Sequence, residues 1–458
     1  MDDSTEDRAI VLGGSMAGLL AARVLSDWYS RVLVVDRDKL LGVTEARRGV
    51  PQGHHVHGLL ARGQQILDEL FPGFTEEAVA AGVPTGDLGE LRWFFDGRRL
   101  QPASTGLVCV SAARPVLEKQ VRDRVAALPN VAFAEQRDIV GLTTTPRGDR
   151  VTGVRVQPRS GGDEEVLEGA LVVDASGRGS RTPVWLEEMG YRRPEEERVK
   201  IDLTYTTRHY RLRSEEALNG DLSINPVSTP SHRRGAFFSR IENGRCVLSL
   251  TGVLGDSPPA DPEGFLDFVR SLEVPDVYEV IRDAEPLNDP VSFRYPASVR
   301  RHYERLEQFP DRLLVVGDAV CSFNPVYGQG MTVAAIEATI LRKHLRQGRP
   351  PQPMRFLSDV SDALDAPWDI SAGGDLDFPE VAGKRPLKVR MANAYMSLLR
   401  SAATRDGQLT RAFMRVAGLI DPPETLMRPA MILRVLRNAR GRREPSASAQ
   451  RGKRAVDA

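Results

Sequence analysis

After a polar, acidic start (Met1 to Arg8) the chain turns apolar at Ala9-Ile10-Val11-Leu12. Four consecutive apolar residues bounded by a turn read as a strand buried on both faces. They run into Gly13-Gly14-Ser15-Met16-Ala17-Gly18, then a small-residue helix over Leu19 to Ser26 and a second buried strand over Arg31 to Asp36. Strand, tight turn, helix and strand, ending on a carboxylate 18 residues beyond Gly18, is the layout of a βαβ unit that binds a dinucleotide. The turn lets backbone approach a pyrophosphate, and the helix start offers free N–H groups to the anion. Asp36 is placed to accept hydrogen bonds from an adenosine ribose. Ser15 stands where GxGxxG has its middle glycine, and its hydroxyl can itself donate to a phosphate oxygen.

Residues 47–70 break on Gly and Pro before settling into an amphipathic helix. His54, His55 and His57 alternate along that loop without i, i+4 spacing or a carboxylate partner. They therefore predict a polar loop beside the nucleotide, with no metal site. Arg114-Pro115 opens a helix to Ala127, Pro being tolerated at a helix start; its guanidinium either reaches a phosphate or is solvated. Alternating runs Val131–Phe133, Ile139–Thr144 and Val151–Val156 predict a β-meander. Leu171 to Asp174 is another buried strand, and the small residues Ala175-Ser176-Gly177 after it admit close approach to a ligand.

From Val199 to Val253 the texture is strand-rich: Lys200–Arg213, Gly235–Arg240 and Cys246–Val253, with Asn243-Gly244 as a hairpin signal. A helix over Asp261–Leu272 and a strand over Val291–Tyr295 follow. This block reads as an inserted substrate domain. Arg312 to Ala319 resumes as a buried strand closing on Asp318, then a loop over 320–330 leads to a long helix from Met331. Ser358 to Arg440 patterns as helix with breaks at Ala372–Glu380 and Ile420–Glu424, and 441–458 as a disordered tail.

Composition narrows the function classes. With 62 Lys and Arg against 62 Asp and Glu in 458 residues, no global basic field recruits nucleic acid. Three distant cysteines, Cys109, Cys246 and Cys321, form no CxxC pair, which leaves neither a thiolate zinc site nor a disulfide framework. No apolar run approaches the ~20 residues that cross a bilayer. The acidic start is unlike a signal peptide, so a cytoplasmic location is expected; nothing in the pattern fixes an oligomeric state.

GGSMAG, DASGRGSR and GDAVCSFNPVYGQGM follow one another over residues 8–340. Together they resemble the glutathione-reductase type of FAD fold and, within it, the aromatic-hydroxylase-like flavoprotein monooxygenases. A closer resemblance, to bacterial squalene-epoxidase-like enzymes acting on polyether polyenes, is carried by residues 47–63, 203–211, 309–335 and 428–437. The resemblance implies an α/β fold whose Rossmann-like FAD domain is discontinuous (1–75, 110–195, 305–350). It implies a β-rich substrate domain (76–109, 196–304) and a helical C-terminal part (351–440).

The cofactor contacts implied are Gly13, Ser15, Met16, Ala17, Gly18, Asp36, Arg37, Arg48, Arg114, Asp174, Gly177, Asp318, Pro325, Gly328, Gly330 and Met331. Ala175 and Ser176 separate Asp174 from Gly177, a departure from the family's Asp-Gly segment. Tyr205, Thr207, Phe237, Ser249 and Phe323 are the expected substrate-pocket residues.

In such enzymes a flavin C4a-hydroperoxide transfers one oxygen of O2 to the substrate, so no catalytic side chain is expected. The implied activity is epoxidation of an apolar polyketide or terpenoid alkene, in antibiotic biosynthesis. The alternatives are an aromatic hydroxylase and a geranylgeranyl-reductase-like isoprenoid reductase. No second GxGxxG-like turn follows a strand, so electrons come from NAD(P)H, directly or through a separate flavin reductase.

Overall fold

The computed structural model describes residues 7–439 apart from 48 and 215; the expected cofactor contact Arg48 and the tail 441–458 lie outside the described residues. At its centre is a five-stranded parallel sheet in the order Leu313–Val315, Leu171–Asp174, Arg8–Leu12, Arg31–Val35, Val131–Ala134. Every residue of Leu171–Asp174 and Leu313–Val315 is buried, because both faces of the sheet are covered. Ala9, Val11, Leu171, Val173 and Leu314 pack on the helical side, with Leu19 and Leu20 of helix Met16–Leu25, Leu117 and Val121 of helix Arg114–Ala126, and Leu341 of helix Gly330–Gln347. Ile10, Leu12, Val172 and Leu313 point the other way, onto Val151, Val154 and Val156 of a three-stranded antiparallel layer.

That layer corrects one expectation. Its strands are Glu165–Glu168, Val151–Pro158 and Arg137–Thr144. The run beginning at Val131 instead forms the edge of the parallel sheet, Val32 opposite Val131 and Val35 opposite Ala134. Alternation in a short run identifies a strand but not its partner. Glu165–Glu168 is exposed and charged, so hydrophobicity gave no sign of it.

The second large sheet has eight strands, Arg92–Phe95 and Arg98–Arg99 from early in the chain joining Leu203–Arg211, Ser223–Pro226, Arg234–Arg240, Arg245–Gly252, Glu285–Pro286 and Val291–Tyr295. The turn between two of its strands has positive φ at Asn243 (61°) and Gly244 (64°), the left-handed pair that tight hairpins require. One face, through Ala236, Phe238, Leu248 and Leu250, packs on helices Pro262–Arg270 and Asp276–Ile281. The opposite face is fixed by register: Thr207 lies opposite Ser249, Ser249 opposite Phe237, and Tyr205 opposite Phe293. The four expected pocket residues of this sheet therefore share one face.

The C-terminal part is helical, over Pro353–Asp375, Leu387–Ala403, Gly407–Ala417 and Pro429–Ala439. The first of these runs through the break expected at Ala372 and stops at Leu376, since Ser371, Ala372 and Asp375 are buried against the rest of the protein. Tertiary burial outweighs the weak local preference of Gly373-Gly374. No helix among the described residues is long and apolar enough to cross a membrane.

Candidate active site

The first turn is built as its glycines require. Gly13 has φ 101°, and a Cβ there would sit 2.5 Å from the Ala175 carbonyl oxygen. A Cβ on Gly18 would sit 1.7 Å from the Gly13 oxygen. Two backbone segments, the fingerprint turn and the Ala175-Ser176 loop, thus touch directly. Helix Met16–Leu25 starts at this point, so the N–H groups of its first turn, among them Met16, Ala17 and Gly18, have no intrahelical acceptor and can meet an anion.

Asp36 and Arg114 arrive at the same turn, and Arg37 does not. Asp36 accepts from Gly14 N–H at 2.6 Å and Asp38 N–H at 2.7 Å. Arg37 is exposed and turns toward Asp138. The cation beside Asp36 is Arg47, 3.7 Å away, which also bridges Asp38 and Glu118. Arg114 is buried, donating to the Ser15 hydroxyl at 3.1 Å and to Glu118 at 3.2 Å. Ser15 in turn donates to Glu118 at 2.9 Å. The hydroxyl in place of the middle glycine therefore anchors a buried ion network. Glu118 and Arg47 escaped sequence reasoning. Glu118 was foreseeable, four residues beyond Arg114 on a helix; Arg47 was indistinguishable from its neighbour Arg48.

Asp174 organises the central loop internally. It is fully buried and accepts from the Ser176 amide and hydroxyl, the Ser180 hydroxyl and the Thr182 hydroxyl at 2.5–2.9 Å. Its lone pairs are spent on positioning Ala175 and Ser176 against Gly13, and Gly177 (φ 80°) begins the turn that follows. Arg301 ties this turn to the next, donating to the carbonyls of Arg178 at 3.2 Å and Ala319 at 2.9 Å.

The strand Leu313–Val315 is shorter than expected, because Gly317 (φ 66°) starts a tight turn through Asp318 to Ala319. The Asp318 carboxylate makes no hydrogen bond or ion pair among the described residues, and a Cβ on Gly330 would lie 3.9 Å from it. Burial pushes its pKa up, against the pull of Arg178, Arg114 and Arg301. This half-buried carboxylate beside a helix start is placed to accept from hydroxyl donors. The loop ahead of helix Gly330–Gln347 is capped by Asn324, which accepts from Val326 N–H at 3.0 Å. It then turns at Pro325 and at Gly328 (φ 65°). Met331 is buried, and Gln329 Oε1 is buried without a partner among the described residues. Asn324 also donates to the buried Asp375 at 2.8 Å, linking this loop to helix Pro353–Asp375.

Glu337, buried in the same long helix, accepts the Gly317 N–H at 2.5 Å. Burial pushes its pKa up to about 8. The folded-state value lies above the ordinary 4.5, so its stabilising contribution is complete below about pH 4.5 and is lost as pH rises through 8. Glu337→Gln keeps an acceptor for Gly317 and does not titrate. Its melting temperature is expected to fall less than the parent's between about pH 6 and pH 9, as calorimetry at the two ends will show; equal slopes would remove Glu337 as the cause.

The inner face of the large sheet meets the His55 loop. His55 Nδ1 lies 2.7 Å from Thr207 Oγ1, which lies 2.5 Å from Ser249 Oγ, and Ser249 accepts the Val56 N–H at 3.0 Å. The arrangement that uses every hydroxyl proton runs from Ser249 to Thr207 to Nδ1, which leaves the proton of a neutral ring on Nε2. Burial holds the ring neutral, with its pKa pushed down to about 4. Among the described residues Nε2 has no partner, and neither has the buried Tyr205 hydroxyl, whose ring stacks on His55 at 5.6 Å. Phe293, the cross-strand neighbour of Tyr205, lies 5.6 Å from His55 and under the guanidinium of Arg178. Phe237 is half-buried in the same cross-strand row. Phe323 packs on Trp368 at 6.5 Å, one residue from Ser322, whose hydroxyl is 3.4 Å from Tyr295. His55 and Arg178 thus join the expected pocket residues; the loop's histidines carried the signal for the first, and DASGRGSR held the second. No cluster of His, Cys, Asp or Glu among the described residues could hold a metal.

This geometry can be set beside known proteins. A sequence model of the FAD dependent oxidoreductases matches residues 9–200. Protein Rv3254 of Mycobacterium tuberculosis is 35% identical over 439 residues, covering 91% of this chain and 90% of its own. Kynurenine 3-monooxygenase of Salinispora arenicola is 25% identical over 360 residues, 73% of this chain and 71% of its own. Among solved structures, a flavoprotein/dehydrogenase from Cytophaga hutchinsonii superposes with a TM-score of 0.69 at 15% identity, covering 97% of this chain and 99% of that one. The chain belongs to the FAD-dependent oxidoreductases, an enzyme family in which its relatives include an FAD-dependent monooxygenase.

Proposed function

We propose that the enzyme is a monooxygenase that places one oxygen atom of O2 on an alkene of an apolar polyketide or terpenoid. The observation that carries this reading is the character of the wall around His55. Tyr205 and Phe293 pack against a ring held neutral by burial, the Arg178 guanidinium lies over Phe293, and among the described residues His55 Nε2 and the Tyr205 hydroxyl are buried there without a partner. Such an aromatic surface excludes water and accepts a hydrocarbon that carries an oxygen acceptor.

The residues fit the FAD that the family implies. The first-turn amides from Ser15 to Gly18 would take the pyrophosphate, Asp36 a ribose hydroxyl, and Asp318 the ribityl hydroxyls. The turn at Gly328 and the start of helix Gly330–Gln347 would bring about half a positive charge to the ring system. When bound, FAD supplies the two-electron chemistry that activates O2. The protein's part is to orient substrate on the aromatic wall and to keep water out. Electrons would come from NAD(P)H, directly or through a reductase.

Kynurenine 3-monooxygenase among the relatives favours a second reading, hydroxylation of an aromatic ring. Oxygen uptake and hydrogen peroxide release by the flavin-loaded enzyme, fed by NADPH and a flavin reductase, distinguish these. A polyprenol probe is expected to lower the peroxide released per O2 consumed, and its saturated counterpart to leave it unchanged. Coupling by a phenol and not by the polyprenol would favour the aromatic reading. Equal peroxide yields with all three probes would overturn both.

A further inference from the structure

Charge is unevenly distributed in this electrically neutral chain. Residues 384–458 hold 17 Lys and Arg against 5 Asp and Glu, a net +12, so residues 1–383 carry −12. Within the described part of this segment, helices Leu387–Ala403 and Pro429–Ala439 lie side by side. Their inner faces are satisfied: Leu399, Ala402 and Val435 are fully buried. Their outer faces are apolar as well. Leu387 is 69% exposed, Met391 63% and Leu433 54%; Leu398 and Leu436 are also exposed, as is Met427 in the turn before the second helix. Six of the eleven exposed large hydrophobic residues in the described chain are these, so the concentration is local. Leu387, Met391 and Leu398 recur at i, i+4 and i+11, one stripe along their helix. Arg390, Arg428 and Arg437 are exposed on or beside the same two helices and make no ion pair among the described residues.

We infer that this face docks on the surface of an anionic lipid bilayer. Exposed Leu and Met beside unpaired arginines satisfy both halves of an interfacial site: apolar side chains enter the acyl boundary, and guanidinium groups stay among the headgroups. Each basic residue held near an anionic leaflet strengthens binding by about fivefold. A second copy is disfavoured as occupant, since a symmetric interface would set one strongly basic segment against another. Nucleic acid uses the arginines but gains nothing from six exposed Leu and Met side chains. The helices have 17 and 11 residues, so they lie on the bilayer and do not span it.

Flotation of the full-length, flavin-loaded protein on two vesicle types tests this. One is phosphatidylcholine alone; the other contains about one-third phosphatidylglycerol. Binding is expected on the mixed vesicles, at least about tenfold weaker on the neutral ones, and falling as salt is raised. Leu433→Gln with Leu436→Gln is expected to weaken binding about tenfold while leaving the flavin spectrum and melting temperature unchanged. Arg390→Gln with Arg428→Gln and Arg437→Gln is expected to weaken binding to the mixed vesicles and flatten its salt dependence. Failure to float on the mixed vesicles, or equal flotation on both, would overturn the inference. A lipid-free dimer dissociated by the paired Leu substitutions would assign the face to a second copy instead.

Discussion

Asp318→Ala is expected to yield a folded protein that purifies colourless. The carboxylate sits in the turn after strand Leu313–Val315, pays a desolvation cost, and has no donor among the described residues to offset it. Removing it therefore spares the flavin-free fold, whose melting temperature should hold or rise slightly. The loss falls on the cofactor. A hydrogen bond to a charged acceptor contributes about 1.5–3 kcal/mol, which corresponds to FAD binding weaker by roughly 10- to 150-fold. The flavin-to-protein absorbance ratio after gel filtration, with an FAD titration of the stripped protein, gives the answer. A full complement of FAD in the purified variant would show that Asp318 is not a cofactor contact.

Glu118→Ala is expected to act on the fold itself. Glu118 is 4% exposed and faces three guanidinium groups: Arg47 at 2.5 Å, Arg114 at 3.2 Å and Arg122 at 3.6 Å. Burial pushes its pKa up, but Arg114, Arg47 and the Ser15 hydroxyl outweigh that, and the net direction is down. A carboxylate with a depressed folded-state value stabilises above its ordinary range and loses that contribution as pH falls. Truncation leaves Arg114 and Arg122 buried without their carboxylate, while Arg47 keeps Asp38 at 3.4 Å. Breaking a buried pair from one side costs about 3–5 kcal/mol, a large share of a typical total of about 5–15 kcal/mol. Urea unfolding of the stripped protein measures it. A loss below about 1 kcal/mol, the range of exposed pairs, would mean that the network is solvated in solution.

What the sequence made legible follows from where structure is determined locally. The strands Arg8–Leu12, Arg31–Val35 and Leu171–Asp174 were readable because a sheet covered on both faces demands unbroken apolar runs. Gly13 and Gly18 were readable because only glycine tolerates contacts of 2.5 and 1.7 Å at the Cβ position. Asp36, Arg114 and Asp318 do converge on one region, while Arg37 turns outward. Choosing Arg47 over its neighbours needed three-dimensional information, since its partners Asp36, Asp38 and Glu118 come from three places in the chain. His55 was visible as one of three loop histidines, but its role depends on Thr207 and Ser249, more than 150 residues away. The edge strand Val131–Ala134 and the continuation of helix Pro353–Asp375 past Ala372 were set by packing that no local pattern encodes.

Under the function we propose, this FAD-dependent oxidoreductase uses O2 to oxygenate an apolar substrate. The most direct test of this is mass spectrometry of the product formed by the flavin-loaded enzyme from a polyprenol probe under 18O2, with NADPH and a flavin reductase supplying electrons. The expected product carries one 18O atom and none from labelled water. A product that gains hydrogen and no label would contradict it and make the enzyme a reductase.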